Sequence, residues 1–390
     1  MVLGRLLAKT STRRELRSPA WFADYTLAAA AVTVACLGIA MNYSATWRSL
    51  SFEGADPLTV ARRQAIFVLI GIVVMVVAAA VDYRVLRHYA TPAYLLVLVA
   101  LAALLRWGPE IRNARSWFEL PFVGFQVQPS EFAKLVVIVS LAAFVASHEG
   151  YLRFDTLFNA GLLLAVPMFL IYRQPDLGTM LVFVAIAMGM LLVAGAQLRH
   201  IVVVTLAGIL ALVLVFSIDA LQGPRLLTET QRGRLTAFLD QDFEPQKASY
   251  NLRQSQIAIG AGGVWGQGWK QGTQTNLDLV PEQHNDFIFT ALGEEFGLVG
   301  ASLLLALYAY IVVRIWLIAR SASDPFGRLL GVGILSMLLF QVFQNIGMTI
   351  GIMPITGIPL PLMSHGGSGT LTTFAAIGIV ISIGSRRYAL

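Results

Sequence analysis

The sequence predicts an all-α polytopic membrane protein. It has about ten transmembrane helices and one large extracytoplasmic loop between spans seven and eight. Three observations carry that prediction. Charge is scarce: 13% of residues are charged and 57% hydrophobic, with a mean hydropathy of +0.71, whereas soluble domains are about 25% charged. Apolar runs of bilayer length recur along the whole chain. Basic residues are shared unevenly between alternate loops.

The apolar runs fall at about 25–43, 64–81, 90–106, 131–147, 156–172, 177–195, 199–218, 287–313, 328–350 and 369–385. They form a single membrane domain over 1–390, with a cytoplasmic lead at 1–24. No short apolar core with a small-residue cleavage site precedes the first run, so no removable signal is expected. The single cysteine, Cys36, excludes an intramolecular disulfide framework and a cysteine-based zinc site.

Orientation follows from Lys and Arg. With the N-terminus inside, the inner segments hold fourteen basic residues and the short outer loops seven. Both termini are then cytoplasmic. All seven outer residues are arginines: Arg48, Arg62, Arg63, Arg106, Arg112, Arg115 and Arg173. Snorkelling at helix ends explains Arg62, Arg63 and Arg106. The others belong to the residue type that grips phosphate by paired hydrogen bonds. The net charge of +6 is read through topology, and no nucleic-acid partner is expected.

The polar stretch 219–286 is the one large extramembrane piece. It opens on Gln222-Gly223-Pro224 and contains a short amphipathic helix from Tyr250 to Ile259. The glycine-rich run Gly260–Trp269 lacks the lysine and flanking strand of a phosphate loop, so no organic cofactor is expected there. Its tryptophans suit a loop at the headgroup level.

Three helices open alike. Span four follows Gln128-Pro129-Ser130-Glu131, with Lys134 one turn on. Span six follows Gln174-Pro175-Asp176, and span eight follows Pro281-Glu282-Gln283-His284-Asn285-Asp286. Proline at a first position and acids at a first turn make good helix starts, so capping alone accounts for each. Glu131 and Lys134, three apart, also suit a simple ion pair. All three helices run from outside to inside, however, which sets Glu131, Asp176 and Asp286 at one depth. The proline- and glycine-rich loop 353–368, with Ser364, His365 and Ser368, belongs to the same face. Non-helical backbone at that depth needs protein cover or a watery cavity. His284 and His365 suit hydrogen-bonded loop positions as well as bases. Glu294 and Glu295 lie about two turns into span eight, and one of them suits support of a cavity's packing or polarity rather than chemistry. No broken helix at mid-membrane and no internal repeat is read, which counts against a transporter.

Gln128-Pro129-Ser130-Glu131, Gln174–Thr179, Pro281–Phe287, Glu294-Glu295-Phe296-Gly297 and Gly366-Gly367-Ser368 resemble the SEDS proteins (shape, elongation, division and sporulation) over about residues 25 to 385. Gln254–Gly260 and Gly272-Thr273-Gln274 resemble the elongation type. The resemblance implies a peptidoglycan glycosyltransferase that polymerises lipid II at the outer leaflet of the bacterial inner membrane during elongation. It puts the catalytic aspartate at Asp286 and cavity residues at Glu131, Lys134, Asp176 and Ser368. It also implies a divalent cation, Mg or Mn, with Asp286 as a possible ligand. The implied partners are the growing glycan strand, a class B penicillin-binding protein and the elongation machinery.

The chemistry expected is deprotonation of a sugar hydroxyl by one carboxylate. A polyprenyl diphosphate leaves, with cations stabilising its charge. Arg48, Arg115, Arg173 and Lys134 are the candidate diphosphate contacts. His284, Ser364 and Ser368 are further candidates for substrate binding. A flippase for the same precursor and a scaffold for a transpeptidase are the alternatives.

Overall fold

Apolar runs become helices, and the helices end where the chain offers caps or breakers. The computed structural model describes residues 24–109, 115–120, 125–148, 154–197, 199, 233, 248–281 and 283–386. The seventh expected span and most of 219–247 lie outside the described residues.

Helix α1 (Tyr25–Phe52) starts at Asp24, whose Oδ1 accepts from the Leu27 N–H at 3.1 Å. It continues well past the expected apolar end at residue 43. Helices α2 (Thr59–Ala80) and α3 (Val85–Trp107) follow. The segment read as loop before span four holds a short hairpin, β1 (Phe118–Leu120) against β2 (Phe125–Val127), with Phe118 opposite Val127. Helix α4 (Pro129–Val145) opens on its proline. Then come α5 (Phe154–Tyr172), α6 (Leu177–Val193), α7 (Ala248–Gly262) and the single turn α8 (Thr273–Asn276). Helices α9 (Ile288–Arg320), α10 (Pro325–Ile350) and α11 (Gly367–Ser385) complete the bundle.

Among the described residues, seven helices are long and apolar enough to cross a bilayer, and α6, at 17 residues, falls just short. Helices α10 and α11 lie at the centre, because 67% and 78% of their apolar windows are buried against 22% for α3. Helix α11 packs along α2, while α10 packs against α9, α6 and α4. Helix α1 packs on α9. Exposed Leu69, Val73, Leu96 and Val99 give α2 and α3 apolar outer faces, as lipid requires.

Helix α9 corrects one expectation: it is broken. Gly297 has φ 61° and ψ −159°, which no helix accommodates. The break frees backbone groups that cannot stay unpaired in an apolar setting. The glycine-rich run supplies their partners. Gln267 and Gly268 N–H donate to the Glu294 and Glu295 carbonyls at 3.0 Å each. Leu298 and Val299 N–H donate to the Gly263 and Val264 carbonyls at 2.9 and 3.1 Å. Periodicity did not show this, because apolar residues resume after Glu294-Glu295 and continue through residue 313. The break divides the helix: Ile288–Glu295 is buried in protein, whereas Leu298, Val299 and Leu303 are exposed.

Gly266 permits the contact. A Cβ there would stand 2.1 Å from the Glu295 carbonyl oxygen, and its φ is 79°. The variant Gly266→Ala is therefore expected to lose more than the roughly 1–2 kcal/mol that a left-handed alanine costs. Thermal unfolding in detergent measures this.

Candidate active site

Four helix starts meet at one end of the bundle. The Gln128 N–H, just before α4, donates to Ser368 Oγ in the first turn of α11 at 2.9 Å. Gln128 Nε2 and Ser130 Oγ approach Asp176 Oδ2 at 3.4 and 3.5 Å. Asp176 is the N-cap of α6, accepting from Thr179 N at 3.0 Å and from Thr179 Oγ1 at 2.7 Å. Its carboxylate thus holds a helix start together. Lys134 Nζ donates to Glu131 Oε1 at 2.6 Å, with the two side chains 2% and 7% exposed. Glu131 Oε2 lies 3.3 Å from where a Cβ on Gly369 would be, so only hydrogen separates that turn of α11 from the pair.

The fourth start is that of α9. Its N-cap residue is Phe287, so Asp286 stands one residue outside and is half-buried. The Asp286 carbonyl accepts from Asn345 Nδ2 at 2.8 Å, and the same amide donates to the Ile358 carbonyl at 2.8 Å. This clamps the acid's backbone to the loop between α10 and α11. The His365 N–H donates to the His284 carbonyl at 2.9 Å, and the two rings stand 6.0 Å apart. Gln64 of α2 ties the same loop down. Its Nε2 donates to the Ser364 carbonyl at 3.3 Å and to Thr370 Oγ1 at 3.2 Å, and its Oε1 accepts from Gly366 N–H at 3.3 Å.

The expected substrate contacts divide. Ser364 is 4% exposed, and its Oγ accepts from Leu360 N–H at 2.8 Å, so it shapes the loop. Arg48 lies over the Phe52 ring at 5.6 Å. Exposed Arg115 donates to the Leu105 carbonyl near the end of α3 at 3.4 Å. Ser116 Oγ donates to the Gln174 carbonyl at 3.3 Å, which brings Arg115 and exposed Arg173 to the Asp176 corner. The snorkelling reading holds for Arg62, which pairs with Asp56 at 2.7 Å on an exposed surface. Arg63, likewise exposed at the start of α2, adds its positive charge to the surroundings of His365. Glu294 has a structural role. It caps α8, accepting from Gln274 N, Thr275 N and Thr275 Oγ1 at 2.7, 2.9 and 2.6 Å.

Sequence reasoning missed Arg63, Gln64 and Asn345. The signal was faint: Arg63-Gln64 at a span's polar start, and Gln341, Gln344 and Asn345 inside an apolar run.

Burial, helped by the charges of His284 and Arg63, pushes the His365 imidazole down to about 4. The folded chain therefore refuses a proton that the unfolded chain accepts near its ordinary 6.5. Stability is full above that value and falls as pH drops from there toward 4. The variant His365→Gln is expected to escape this loss, by on the order of 2 kcal/mol between pH 7 and pH 5. Thermal unfolding at the two pH values gives the difference.

Bilayer-length helices with polar starts gathered at one end of the bundle define a multi-pass membrane protein with a polar site there. The chain belongs to the cell cycle protein family of FtsW, RodA and SpoVE, the SEDS proteins, whose model matches residues 25–389. It is 39% identical over 324 residues to the peptidoglycan glycosyltransferase MrdB of Escherichia coli, covering 83% of this chain and 85% of that one. It is 34% identical over 370 residues to a probable peptidoglycan glycosyltransferase FtsW of Geobacter metallireducens, covering 93% and 95%. Among solved structures, a chain of a peptidoglycan synthase complex that coordinates polymerization and crosslinking superposes with a TM-score of 0.79 at 30% identity, covering 94% and 99%. The rod shape determining protein RodA of Thermus thermophilus gives 0.69 at 28% identity, covering 94% and 98%. The elongation-type likeness accords with these, and the chain is a bacterial multi-pass membrane protein.

Proposed function

We propose that this chain is a peptidoglycan glycosyltransferase that polymerises lipid II, with Asp286 as the general base. The observation that carries the assignment is the setting of Asp286. Asn345 clamps its backbone to the loop between α10 and α11, and the His284–His365 pair, two residues away in the chain, joins it to the start of α11. A carboxylate carried on a clamped backbone can take the proton of an acceptor hydroxyl. The hydroxyl oxygen then attacks the donor anomeric carbon with inversion. The bond to polyprenyl diphosphate breaks, and the electron pair leaves on its oxygen. Arg63, Arg115, Arg173 and Lys134 are the cations available for that charge.

A divalent cation, magnesium or manganese, suits this site only as a companion of the diphosphate. Among the described residues no group of three or more metal-ligating side chains comes together. Magnesium commonly takes one or two carboxylates plus substrate phosphates. Asp286 would be its protein ligand, and the ion would neutralise diphosphate charge.

The site faces the outside of the inner membrane, with both termini cytoplasmic, in keeping with the arginine bias of the loops. A class B penicillin-binding protein is the partner this assignment implies, and the elongation machinery its setting.

The broken α9 favours a flippase at first sight, because transporters use broken helices to hold substrates. Here the freed carbonyls of Glu294 and Glu295 already accept from Gln267 and Gly268. These pairings give the break a structural role, seating the glycine-rich loop on α9. Purified protein incubated with lipid II should yield glycan strands. Transport of labelled lipid II into protein vesicles without polymer would sink the proposal in favour of the flippase.

A further inference from the structure

Lys270 is held by more than its own loop. Its Nζ sits over the rings of Tyr43, Trp47 and Trp269 at 4.0, 4.7 and 5.4 Å from their centroids. All three lie within cation–π range. The ammonium also donates to Tyr43 Oη at 2.9 Å. Two of the rings belong to α1 and the third to the loop itself, so the ammonium joins the two. The backbone at Lys270 is left-handed, with φ 61°. A residue with a Cβ adopts that conformation at a cost, and surrounding contacts must hold it there. Glycine would suit the backbone better, so the side chain accounts for a lysine at this position.

The box is coupled to the acid through short contacts. The Lys270 carbonyl accepts from Asn276 Nδ2 of α8 at 2.9 Å. In the same turn, Thr275 Oγ1 donates to Glu294 Oε2 at 2.6 Å and accepts from Gln283 Nε2 at 2.8 Å. Gln283 is buried and lies three residues before Asp286. On the other side, the loop before Lys270 pairs with the break in α9. There Ser44 of α1 donates to Glu295 Oε1 at 2.5 Å, one residue from Tyr43. The face of α1 formed by Tyr43, Ser44 and Trp47 is thus the seat on which the loop, α8 and the buried half of α9 rest together.

We propose that Lys270 is a positioning residue for the polymerisation reaction: its ammonium, locked in the Tyr43–Trp47–Trp269 box, holds the loop and α8 and thereby fixes Gln283 and Asp286. This rests on the assignment of Asp286 above. It predicts that the lock acts on the chemical step rather than on substrate binding, since Lys270 contacts α1, its own loop, α8 and Glu295 of α9.

The test uses the full-length protein in detergent or nanodiscs, with Lys270→Met, which keeps length and removes charge, and Lys270→Arg, which keeps the cation. Hydrogen exchange reads the lock directly and does not depend on the enzymatic assignment. Lys270→Met should speed exchange at Gln267, Gly268, Leu298 and Val299 by roughly fivefold or more. It should lower kcat for lipid II polymerisation by roughly tenfold with KM little changed. Lys270→Arg should restore both. Unchanged exchange in Lys270→Met would overturn the proposal, whatever the activity. Faster exchange with an unchanged kcat, or a fall confined to KM, would overturn the link to Asp286. Should wild type itself make no polymer while the exchange results stand, the glycosyltransferase assignment fails and the lock survives.

Discussion

Asp286→Ala protein is expected to polymerise lipid II between roughly a hundredfold and ten-thousandfold more slowly than wild type, the range a positioned general base contributes. The loss should fall on kcat, because a sugar hydroxyl is a poor nucleophile until its proton is removed and the leaving diphosphate needs little acid help. Folding should be spared. The residue is half-buried and is not the N-cap of α9, and its tie to Asn345 runs through the backbone carbonyl, which alanine keeps, so any loss of folding shows separately in the unfolding curve. The measurement pairs glycan yield with thermal unfolding of the same preparation. Wild-type polymer yield from a folded Asp286→Ala protein would remove the carboxylate from the mechanism. An asparagine at 286 should be as slow as alanine, since an amide can hydrogen-bond the hydroxyl but cannot take its proton.

How far the sequence reaches is visible at particular residues. The starts of α4 and α6 were legible because Pro129 and Asp176 act locally, through fixed φ or a cap within one turn. The gathering of those starts was legible in part, since alternation of spans puts every second start on the same face. The break in α9 was not. Its cause is the run Gly263–Gly268, some thirty residues earlier in the chain, and no window of apolar residues contains that partner. The clamp by Asn345 escaped for the same reason: it bridges Asp286 and Ile358, far from itself in sequence. Arg62 and Arg63 are exposed neighbours, one paired with Asp56 and the other adding its charge to the surroundings of His365. Composition gives them equal standing, and only the direction of α2 separates them.

The pair Glu131–Lys134 carries the largest expected effect on stability and also decides between two roles. Lys134→Met would leave a carboxylate buried without its cation, and breaking a buried pair from one side costs about 3–5 kcal/mol. Glu131→Gln should cost a similar amount by stranding the ammonium. The double variant, Glu131→Gln with Lys134→Met, should recover most of that loss, because replacing both members of a buried pair is often close to neutral. Unfolding of the four proteins in one detergent gives the coupling. Activity then separates structure from chemistry. If the double variant is stable and polymerises lipid II at the wild-type rate, the pair serves only to join α4 to the first turn of α11 through Gly369. If it is stable and slow, with the loss in kcat, Lys134 supplies charge to the departing diphosphate. Glu131 then has a second task, holding the ammonium ready inside a 2%-exposed side chain until substrate arrives. The geometry favours the slow outcome. A purely structural joint between α4 and α11 already exists in the Gln128–Ser368 bond at 2.9 Å, which makes a buried ion pair for the same purpose superfluous.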